Sequence, residues 1–207
     1  MRISRIEKQK KEKQRCNIFI DGIFKTGLYE DTVVKFGLRN GDEISEKEFE
    51  KIKEYDEFNY AKACAYKFLS YRQRSKKEIT TKLKQKKLPD TAVKKVIKLL
   101  EEQKYLNDEI FAVNFVKEQI RNKKVGKRTL MGKLLEKGIS REISETIVSE
   151  NYPDDEEFAA AEKTLAKFIR SGKFKNEYDK KSKCFRHLIS KGFDTDTANT
   201  LLSQPDI

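Results

Sequence analysis

The chain has 207 residues, of which 39% are charged and 37% hydrophobic, and its formal net charge at pH 7 is +12. Its mean hydropathy is low, at −0.81, but the apolar residues recur at helical spacing, which argues against intrinsic disorder. No apolar run is long enough to cross a bilayer, and the N-terminus lacks the apolar stretch of a signal peptide. We therefore expect a cytoplasmic protein with several small cores and no membrane partner.

Residues 1–57 are predicted to form a flexible N-terminus, a small β-element and a linking helix. The charged residues 1–15 have few apolar neighbours, and we expect them to be frayed or flexible. Asp21-Gly22 lies between β-forming residues, which predicts a tight hairpin turn. A turn near Thr26 and Gly27 and a second β-prone run over 32–36 give a two- or three-stranded element, which should pack on a helix or a partner. Ser45 and Glu48 form a capping-box pattern that starts the helix.

The rest of the chain contains a helical pattern that recurs three times. Residues 81–97 align without gaps with residues 132–148, and a further shift reaches residues 186–202. Such self-similarity is typical of stacked units that bury their apolar faces against their neighbours. The predicted fold is mainly α, with three-helix repeats at 58–106, 107–153 and 154–207 in an elongated array, preceded by a small β-hairpin element. The coinciding apolar positions are Leu83/Leu134/Leu188, Leu88/Ile139/Phe193, Val96/Ile147/Leu201 and Ile97/Val148/Leu202.

Helix boundaries inside the repeats follow from capping patterns. In the first repeat Ser75 caps the second helix, and either Asp90 or Thr91 caps the third. The second repeat is predicted to have helices at 108–123, 126–137 and 140–150, with Gly138 as a C-cap and Ser140 as an N-cap. The third repeat has the equivalent pair Gly192 and Asp194, but its first helix aligns in either of two registers.

No residue pattern predicts a catalytic, metal or cofactor site. Cys16, Cys64 and Cys184 form no CxxC pair, and His187 is the only histidine, so the ligand spacing of a metal site is absent. The acidic stretch at 150–157 has no histidine nearby, and we interpret it as a solvated boundary and helix N-terminus. Phosphate-binding loops and nucleophile motifs are also absent. The chain is therefore predicted not to be an enzyme.

The net charge points instead to binding, because it is concentrated in one repeat. It is 0 over residues 1–57, +10 over 58–106, +2 over 107–153 and 0 over 154–207. Segments without acids at 72–77 and 119–135 both lie where the first helix of a repeat meets the second, so stacking would align them in an extended basic strip. Such a strip suits a filament or a nucleic acid, although a merely solvated helical face is the alternative. The candidate contact residues are Arg72, Arg74, Lys76, Lys77, Arg121, Lys123, Lys124, Lys127 and Arg128.

Aromatic residues that could stack on bases are few in these segments. Tyr66 and Tyr71 are the two that lie nearby. Since stacking on aromatic side chains gives single-strand binding much of its affinity for bases, we predict weak base recognition.

Three segments resemble the RecX regulatory proteins of bacteria: 61–79, 104–112 and 127–139. The resemblance covers about residues 59–202, most strongly 61–148, and residues 37–42 after the hairpin are similar to the longer members. The frequent Arg-Pro of the family is missing near Gln73-Arg74. The resemblance implies a non-enzymatic protein that binds the RecA recombinase filament on single-stranded DNA. It also implies that the protein restrains filament growth, strand exchange and coprotease activity in DNA repair, recombination and the SOS response.

Two other functions remain open from the sequence. One is a helical module that binds nucleic acid without a recombinase, and the less favoured one is an adaptor for an acidic protein surface. For the recombinase regulator and for both alternatives we expect a monomer without cofactors. For the recombinase regulator, the partners are the RecA filament and, mainly through it, single-stranded DNA. The residues leave open whether this protein only inhibits its partner or can also assist it.

Overall fold

The computed structural model describes residues 1–10, 12–123 and 125–204. Within these residues the chain forms three strands and ten helices. The strands are β1 (Ile3–Lys8), β2 (Arg15–Ile20) and β3 (Ile23–Tyr29). The helices are α1 (Glu30–Lys35), α2 (Glu46–Leu69), α3 (Lys76–Gln85), α4 (Asp90–Glu102), α5 (Asp108–Lys123), α6 (Lys127–Glu136), α7 (Arg141–Asn151), α8 (Asp154–Ser171), α9 (Glu177–Ser190) and α10 (Thr195–Leu202).

The strands form one antiparallel sheet in the order β1-β2-β3. The predicted hairpin turn is confirmed: Asp21 and Gly22 have φ angles of 50° and 81° between β2 and β3, as a tight two-residue turn requires. The prediction of a flexible N-terminus was wrong, because β1 pairs along β2 and Ile3 is fully buried. A high charge content did not prevent a strand here, since successive side chains point to opposite faces and the charged ones stay in solvent.

Two other predictions for this region were also wrong. Thr26 and Gly27 lie inside β3 rather than at a turn, and the β-prone run that starts at Thr32 lies largely in helix α1. The Thr32 hydroxyl is buried and donates a hydrogen bond of 2.6 Å to Asp56 Oδ1. That tertiary contact, together with the acidic residues Glu30 and Asp31 in the first turn of α1, outweighs the local β-propensity.

The sheet packs on the first half of α2, as a marginal hairpin element requires. Ile3, Ile18 and Leu28 from the three strands share a core with Phe49 and Ile52 of the helix. The predicted capping box of Ser45 and Glu48 is present at its start. Helix α2 runs without a break over its full length of 24 residues, so the predicted linking helix and the first helix of the first repeat are one element.

The predicted fold class is confirmed as mainly α, with three helix triplets that follow a small sheet in the chain. The triplets are the second half of α2 with α3 and α4, then α5 to α7, then α8 to α10. Ser75, Ser140 and Asp194 accept the expected capping hydrogen bonds, whereas α4 is preceded by Pro89 rather than by Asp90 or Thr91 as N-cap. The elongated arrangement and the domain boundaries at 57, 106 and 153 stay predictions.

The chain divides into two compact units. Unit 1 comprises residues 1–72 and 79–105, and unit 2 comprises residues 73–78 and 106–207. Unit 2 contains one core around Leu130, Leu134 and Tyr152 and another around Leu165 and Leu188. The candidate basic residues are divided between the units, with Arg72 in unit 1 and the others in unit 2.

Candidate functional site

The candidate basic residues lie where the first helix of a triplet meets the second, at the end of α2 and the start of α3 and again at the end of α5 and the start of α6. They differ strongly in exposure. Arg74, Lys76 and Lys127 are only partly accessible. Lys123 ends α5, and Lys124 lies outside the described residues. The exposed candidates, which we call the exposed basic set, are Arg72, Lys77, Arg121 and Arg128.

Arg74 points inward rather than into solvent. Its side chain is 15% exposed, and its guanidinium Nη1 lies 3.9 Å from Glu78 Oε1. The ammonium of Lys137 reaches the same carboxylate at 2.7 Å. Because two cations share one largely buried carboxylate, the charge of Arg74 is partly used inside the protein. Arg74 lies two residues before α3 and, together with Lys137, contacts a carboxylate in the first turn of that helix.

Lys127 is held by acidic residues from α8. Its ammonium pairs with Asp154 and lies 3.8 Å from Glu157 Oε2. Its backbone N–H donates a hydrogen bond of 2.7 Å to Glu157 Oε1, which places a carboxylate at the positive end of α6. The hydrogen bond from the Lys127 ammonium, followed by its charge, lowers the pKa of Asp154. The positive charge of Lys127 is therefore largely balanced within unit 2.

The acidic stretch at 150–157 was predicted to be a solvated boundary and a helix N-terminus. The predicted helix N-terminus is confirmed, since the last four residues of the stretch, Asp154 to Glu157, form the first turn of α8. The predicted solvent exposure is wrong for Glu157, because only 4% of the surface of this residue is exposed. Burial raises the pKa of this carboxyl, and the hydrogen bond and charge from Lys127 oppose the shift.

The same carboxylate contact occurs at the equivalent position one repeat earlier. The backbone N–H of Lys76, the first residue of α3, donates a hydrogen bond of 2.9 Å to Asp108 Oδ1. Asp108 is the first residue of α5, just as Glu157 lies in the first turn of α8. In both places the first helix of one triplet thus supplies a carboxylate to the second helix of the triplet before it. This role was not predicted from the sequence, although both carboxylates occur at a recognisable helix start.

A glycine turn completes each of these two junctions. Gly138 and Gly192 have φ angles of 86° and 85°, and both lie against the start of an earlier helix. A Cβ at Gly138 would lie 2.6 Å from Lys77 Cβ, and one at Gly192 would lie 2.2 Å from Thr129 Oγ1. Only glycine fits this approach without displacing its neighbours.

Each junction also contains a hydrogen bond from a side-chain hydroxyl to a backbone carbonyl of the later triplet. Ser75 donates a hydrogen bond of 2.7 Å to the Lys137 carbonyl, and Thr129 donates one of 2.9 Å to the Lys191 carbonyl. The two predicted segments without acids therefore contain structural junctions, and the exposed basic set flanks these junctions. Whether its members act together on one partner stays a prediction.

The histidine and the cysteines show no ligand geometry in the described part of the chain. His187 stacks on Phe168 with ring centroids 4.1 Å apart, and burial, followed by the charge of Lys191, lowers its pKa. Cys16 and Cys184 are buried and Cys64 is partly buried, and all three are free thiols. Over the same residues, no cluster of three or more potential metal-binding side chains occurs.

Across residues 1–10, 12–123 and 125–204, no helix is both long enough and apolar enough to cross a bilayer.

Four family models match the chain in order. The regulatory protein RecX N-terminal domain matches residues 1–45. The first, second and third three-helix domains of RecX match residues 61–100, 107–146 and 154–202. The matched segments correspond to the sheet region and to the three triplets.

Relatives match over nearly the whole chain. Regulatory protein RecX of Listeria monocytogenes serotype 4a is 33% identical over 204 residues, which cover 99% of this chain and 76% of the relative. Regulatory protein RecX of Listeria welshimeri is 34% identical over 198 residues, which cover 96% and 73%.

Solved structures match the fold. A crystal structure of regulatory protein RecX has a TM-score of 0.71 and 27% identity, and the match covers 98% of this chain and 99% of the other. The crystal structure of RecX from Lactobacillus salivarius has a TM-score of 0.61 at 24% identity, covering 72% and 96%, and shows the shared fold alone.

Proposed function

Because the chain belongs to the RecX family of regulatory proteins, we propose that it inhibits the RecA recombinase. It does so by binding along the RecA filament on single-stranded DNA, where it limits filament growth, strand exchange and coprotease activity. The observation that carries this proposal is the ordered match of four RecX domain models from residue 1 to residue 202. The local charge of +10 over residues 58–106 supports a polyanionic partner.

The proposed mechanism is competition within the filament. The helical triplets lie in the groove of the filament and bridge neighbouring recombinase subunits and DNA phosphates. A protein that binds there more tightly than the incoming subunit shifts the balance of subunit addition and loss toward disassembly, because an effector shifts an equilibrium only by its differential affinity. This mechanism needs no catalysis and no cofactor, and it works with a monomer in the cytoplasm, where the recombinase acts.

The exposed basic set supplies the electrostatic contacts in this mechanism, together with Lys123 and Lys124. Arg74, Lys76 and Lys127 contribute indirectly, since they hold the junctions that carry the exposed residues. Arginine suits phosphate contacts particularly well, because its planar guanidinium can donate two parallel hydrogen bonds. Three of the four members of the exposed basic set are arginines.

The test is a recombinase ATPase assay on single-stranded DNA with increasing amounts of this protein. We expect the wild-type chain to suppress ATP hydrolysis as the filament disassembles. Charge reversal to Glu at all four exposed positions should weaken the suppression at least tenfold in concentration, because each reversal removes one phosphate contact and adds repulsion. The reversed positions are Arg72, Lys77, Arg121 and Arg128.

The matched control replaces four exposed lysines away from the two junctions by Glu, so that its net charge changes as much as that of the test variant. If this control loses as much activity as the test variant, general charge rather than the exposed basic set determines the inhibition. If the test variant inhibits as strongly as wild type, the assigned contact residues are wrong. The control positions are Lys47, Lys94, Lys175 and Lys181.

A second candidate function is nucleic-acid binding without a recombinase. It is favoured by the same excess of positive charge in the first repeat. The two functions differ in one measurable respect, because a nucleic-acid binder gains no affinity when the recombinase is added to the DNA, whereas a filament regulator does.

A further inference from the structure

Unit 1 contains an open pocket of about 590 Å³ that the basic-strip prediction did not include. It is formed by the end of β3, the second half of α2 and the region around the end of α3. This volume falls in the range of about 300–1,000 Å³ that is typical of ligand sites. Its lining includes three tyrosines and three lysines, Tyr29, Tyr60, Tyr71, Lys67, Lys82 and Lys86.

Tyrosines from distant parts of the sequence meet in this pocket. The rings of Tyr29 and Tyr60 have centroids 5.1 Å apart at an interplanar angle of 35°. Both come from regular elements, which fixes their positions before a ligand arrives. Tyr71 lies at the rim and is 72% exposed. A planar ligand can therefore contact two ordered rings inside the pocket and one exposed ring at its rim.

The charge around the rings is positive. Lys67, Lys82 and Lys86 line the pocket, and none of the described lining residues is acidic. The Lys82 ammonium lies 5.5 Å from the ring centroid of Phe68, another lining residue. The guanidinium of Arg15 lies 4.9 Å from the ring centroid of Tyr29. The site thus offers aromatic faces with cations beside them.

We propose that this pocket binds single-stranded DNA directly, with a base stacked against the tyrosines and the flanking phosphates held by the lysines. Aromatic rings interleaved with basic side chains are the usual physical basis of single-strand binding, because every base has a π-face and every nucleotide a phosphate. A purely electrostatic surface has no need of ordered tyrosines, and a purely apolar ligand has no need of three lysines. The sequence predicts weak base recognition, and the proposed pocket would instead supply a stacking site for a base.

The proposal extends the proposed function and is tested without it. If the pocket binds a base, the chain contacts the DNA of the filament as well as its protein. Binding to the pocket is measured with bare oligonucleotides and no recombinase. A negative result for the pocket would therefore leave filament regulation through other surfaces intact, and a negative result for filament regulation would leave the pocket proposal intact.

The first experiment measures fluorescence anisotropy of a labelled oligothymidylate with the full chain. Tyr71→Ala should weaken binding about tenfold, since base stacking on one aromatic is worth about 1–3 kcal/mol and 1.4 kcal/mol corresponds to a tenfold change. Tyr178→Ala is the control, because Tyr178 is 84% exposed and lies outside the pocket. Equal effects of the two substitutions would overturn the assignment.

The same assay distinguishes the contribution of the lysine charges to the affinity from the contribution of the bases. The double variant Lys82→Gln/Lys86→Gln should bind at least fivefold more weakly than the double variant Lys94→Gln/Lys98→Gln, which removes the same charge from exposed positions on α4. An abasic strand of equal length should bind at least fivefold more weakly than oligothymidylate. Equal binding of the two strands would show that only phosphates are recognised and would overturn the stacking site.

Cys64 allows a measurement on the unmodified chain. It lines the pocket and is partly accessible, whereas Cys16 and Cys184 are buried, and burial raises the pKa of both buried thiols. Saturating oligothymidylate should slow alkylation of Cys64 at least fivefold, as read by mass spectrometry of the labelled peptide. Unchanged alkylation of Cys64 with bound DNA would overturn the proposal.

A free nucleotide offers the same two groups as a DNA strand, a base and a phosphate, and is the other ligand to be tested. Thymidine monophosphate in large excess should protect Cys64 and displace the oligonucleotide far less than the strand does, because it carries one phosphate and no neighbouring nucleotides for the other lysines to hold. Protection by the mononucleotide as strong as that by the strand would contradict the assignment to DNA.

Discussion

Glu157 connects the last two helix triplets through two contacts to a single residue. Its carboxylate accepts the backbone N–H of Lys127 and lies 3.8 Å from the ammonium of the same residue. Burial nevertheless raises its pKa. A carboxyl with a higher pKa in the folded than in the unfolded protein binds its proton more tightly when folded. Protonation should therefore stabilise unit 2 as the pH falls from the folded pKa toward the unfolded one.

The pH dependence can be isolated with Glu157→Gln, which keeps an acceptor oxygen but does not titrate. Lowering the pH from 7 to 5 should raise the unfolding free energy of wild type relative to that of the variant. Urea unfolding of both proteins at both pH values gives the comparison, and the other carboxyls cancel in the difference. A constant difference, or a relative loss in wild type at pH 5, would contradict the raised pKa of Glu157.

Gly192 can be tested by substitution with alanine. Its φ of 85° is strained for any residue with a Cβ, and that Cβ would lie 2.5 Å from the Thr129 backbone nitrogen. We expect Gly192→Ala to lower the unfolding free energy by about 2 kcal/mol or more. Thermal and urea unfolding measure the change.

Gly132 provides the matched control for this substitution. It lies inside α6, and a Cβ there would meet nothing within 4 Å. Gly132→Ala should stabilise the chain by about 0.5–1 kcal/mol, because alanine is the better helix former. If both substitutions changed the unfolding free energy in the same direction, the close packing of the Gly192 turn would be refuted.

At the scale of elements, two capping boxes with the same sequence pattern have different surroundings. Ser45 and Glu48 cap α2 at an exposed position. Ser75 and Glu78 cap α3, but Ser75 is fully buried and its hydroxyl also donates to the Lys137 carbonyl. The second cap therefore joins two triplets, while the first only starts a helix.

This difference predicts unequal costs for the same substitution. Ser45→Ala should cost about 1 kcal/mol, the usual value of an N-cap. Ser75→Ala should cost about 2–3 kcal/mol, because it also leaves a buried carbonyl without its hydrogen bond. Urea unfolding of the two variants tests the order, and a larger loss for Ser45→Ala would be inconsistent with the junction.

Most of the helical elements could be predicted from the sequence, because their caps and apolar spacing are local. The turn at Gly138 and the cap at Ser140 are examples. Helix α1 could not be predicted, since it depends on a hydrogen bond from Thr32 to Asp56, 24 residues away. Strand β1 likewise depends on pairing with β2. Where a contact distant in the sequence determines the structure, local propensity gave the wrong answer.

The candidate site shows the same limit. Spacing alone identified the basic junctions, but it could not separate Lys127, paired with two acids from α8, from Arg128, which is exposed. Nor could it find the tyrosine pocket, whose members Tyr29, Tyr60 and Lys86 are far apart in sequence. Both distinctions require the tertiary structure.

For the whole molecule, the net charge of +12 predicts a strong salt dependence of binding. If about six phosphates are contacted in the filament, log affinity should fall with log salt concentration at a slope of about −5. Charge reversal of the exposed basic set should reduce the slope by about 3, whereas reversal of the four control lysines should leave it nearly unchanged. Titrations at several salt concentrations measure the slopes, and equal slopes for the two variants would contradict the assigned surface.

The central claim is that this chain binds an assembled RecA filament more tightly than it binds either of the filament's components. The most direct test is to measure the affinity of the labelled chain for bare single-stranded DNA, for free recombinase and for the assembled filament at one salt concentration. We predict that the filament binds at least tenfold more tightly than either component. Equal affinity for bare DNA and for the filament would contradict the claim.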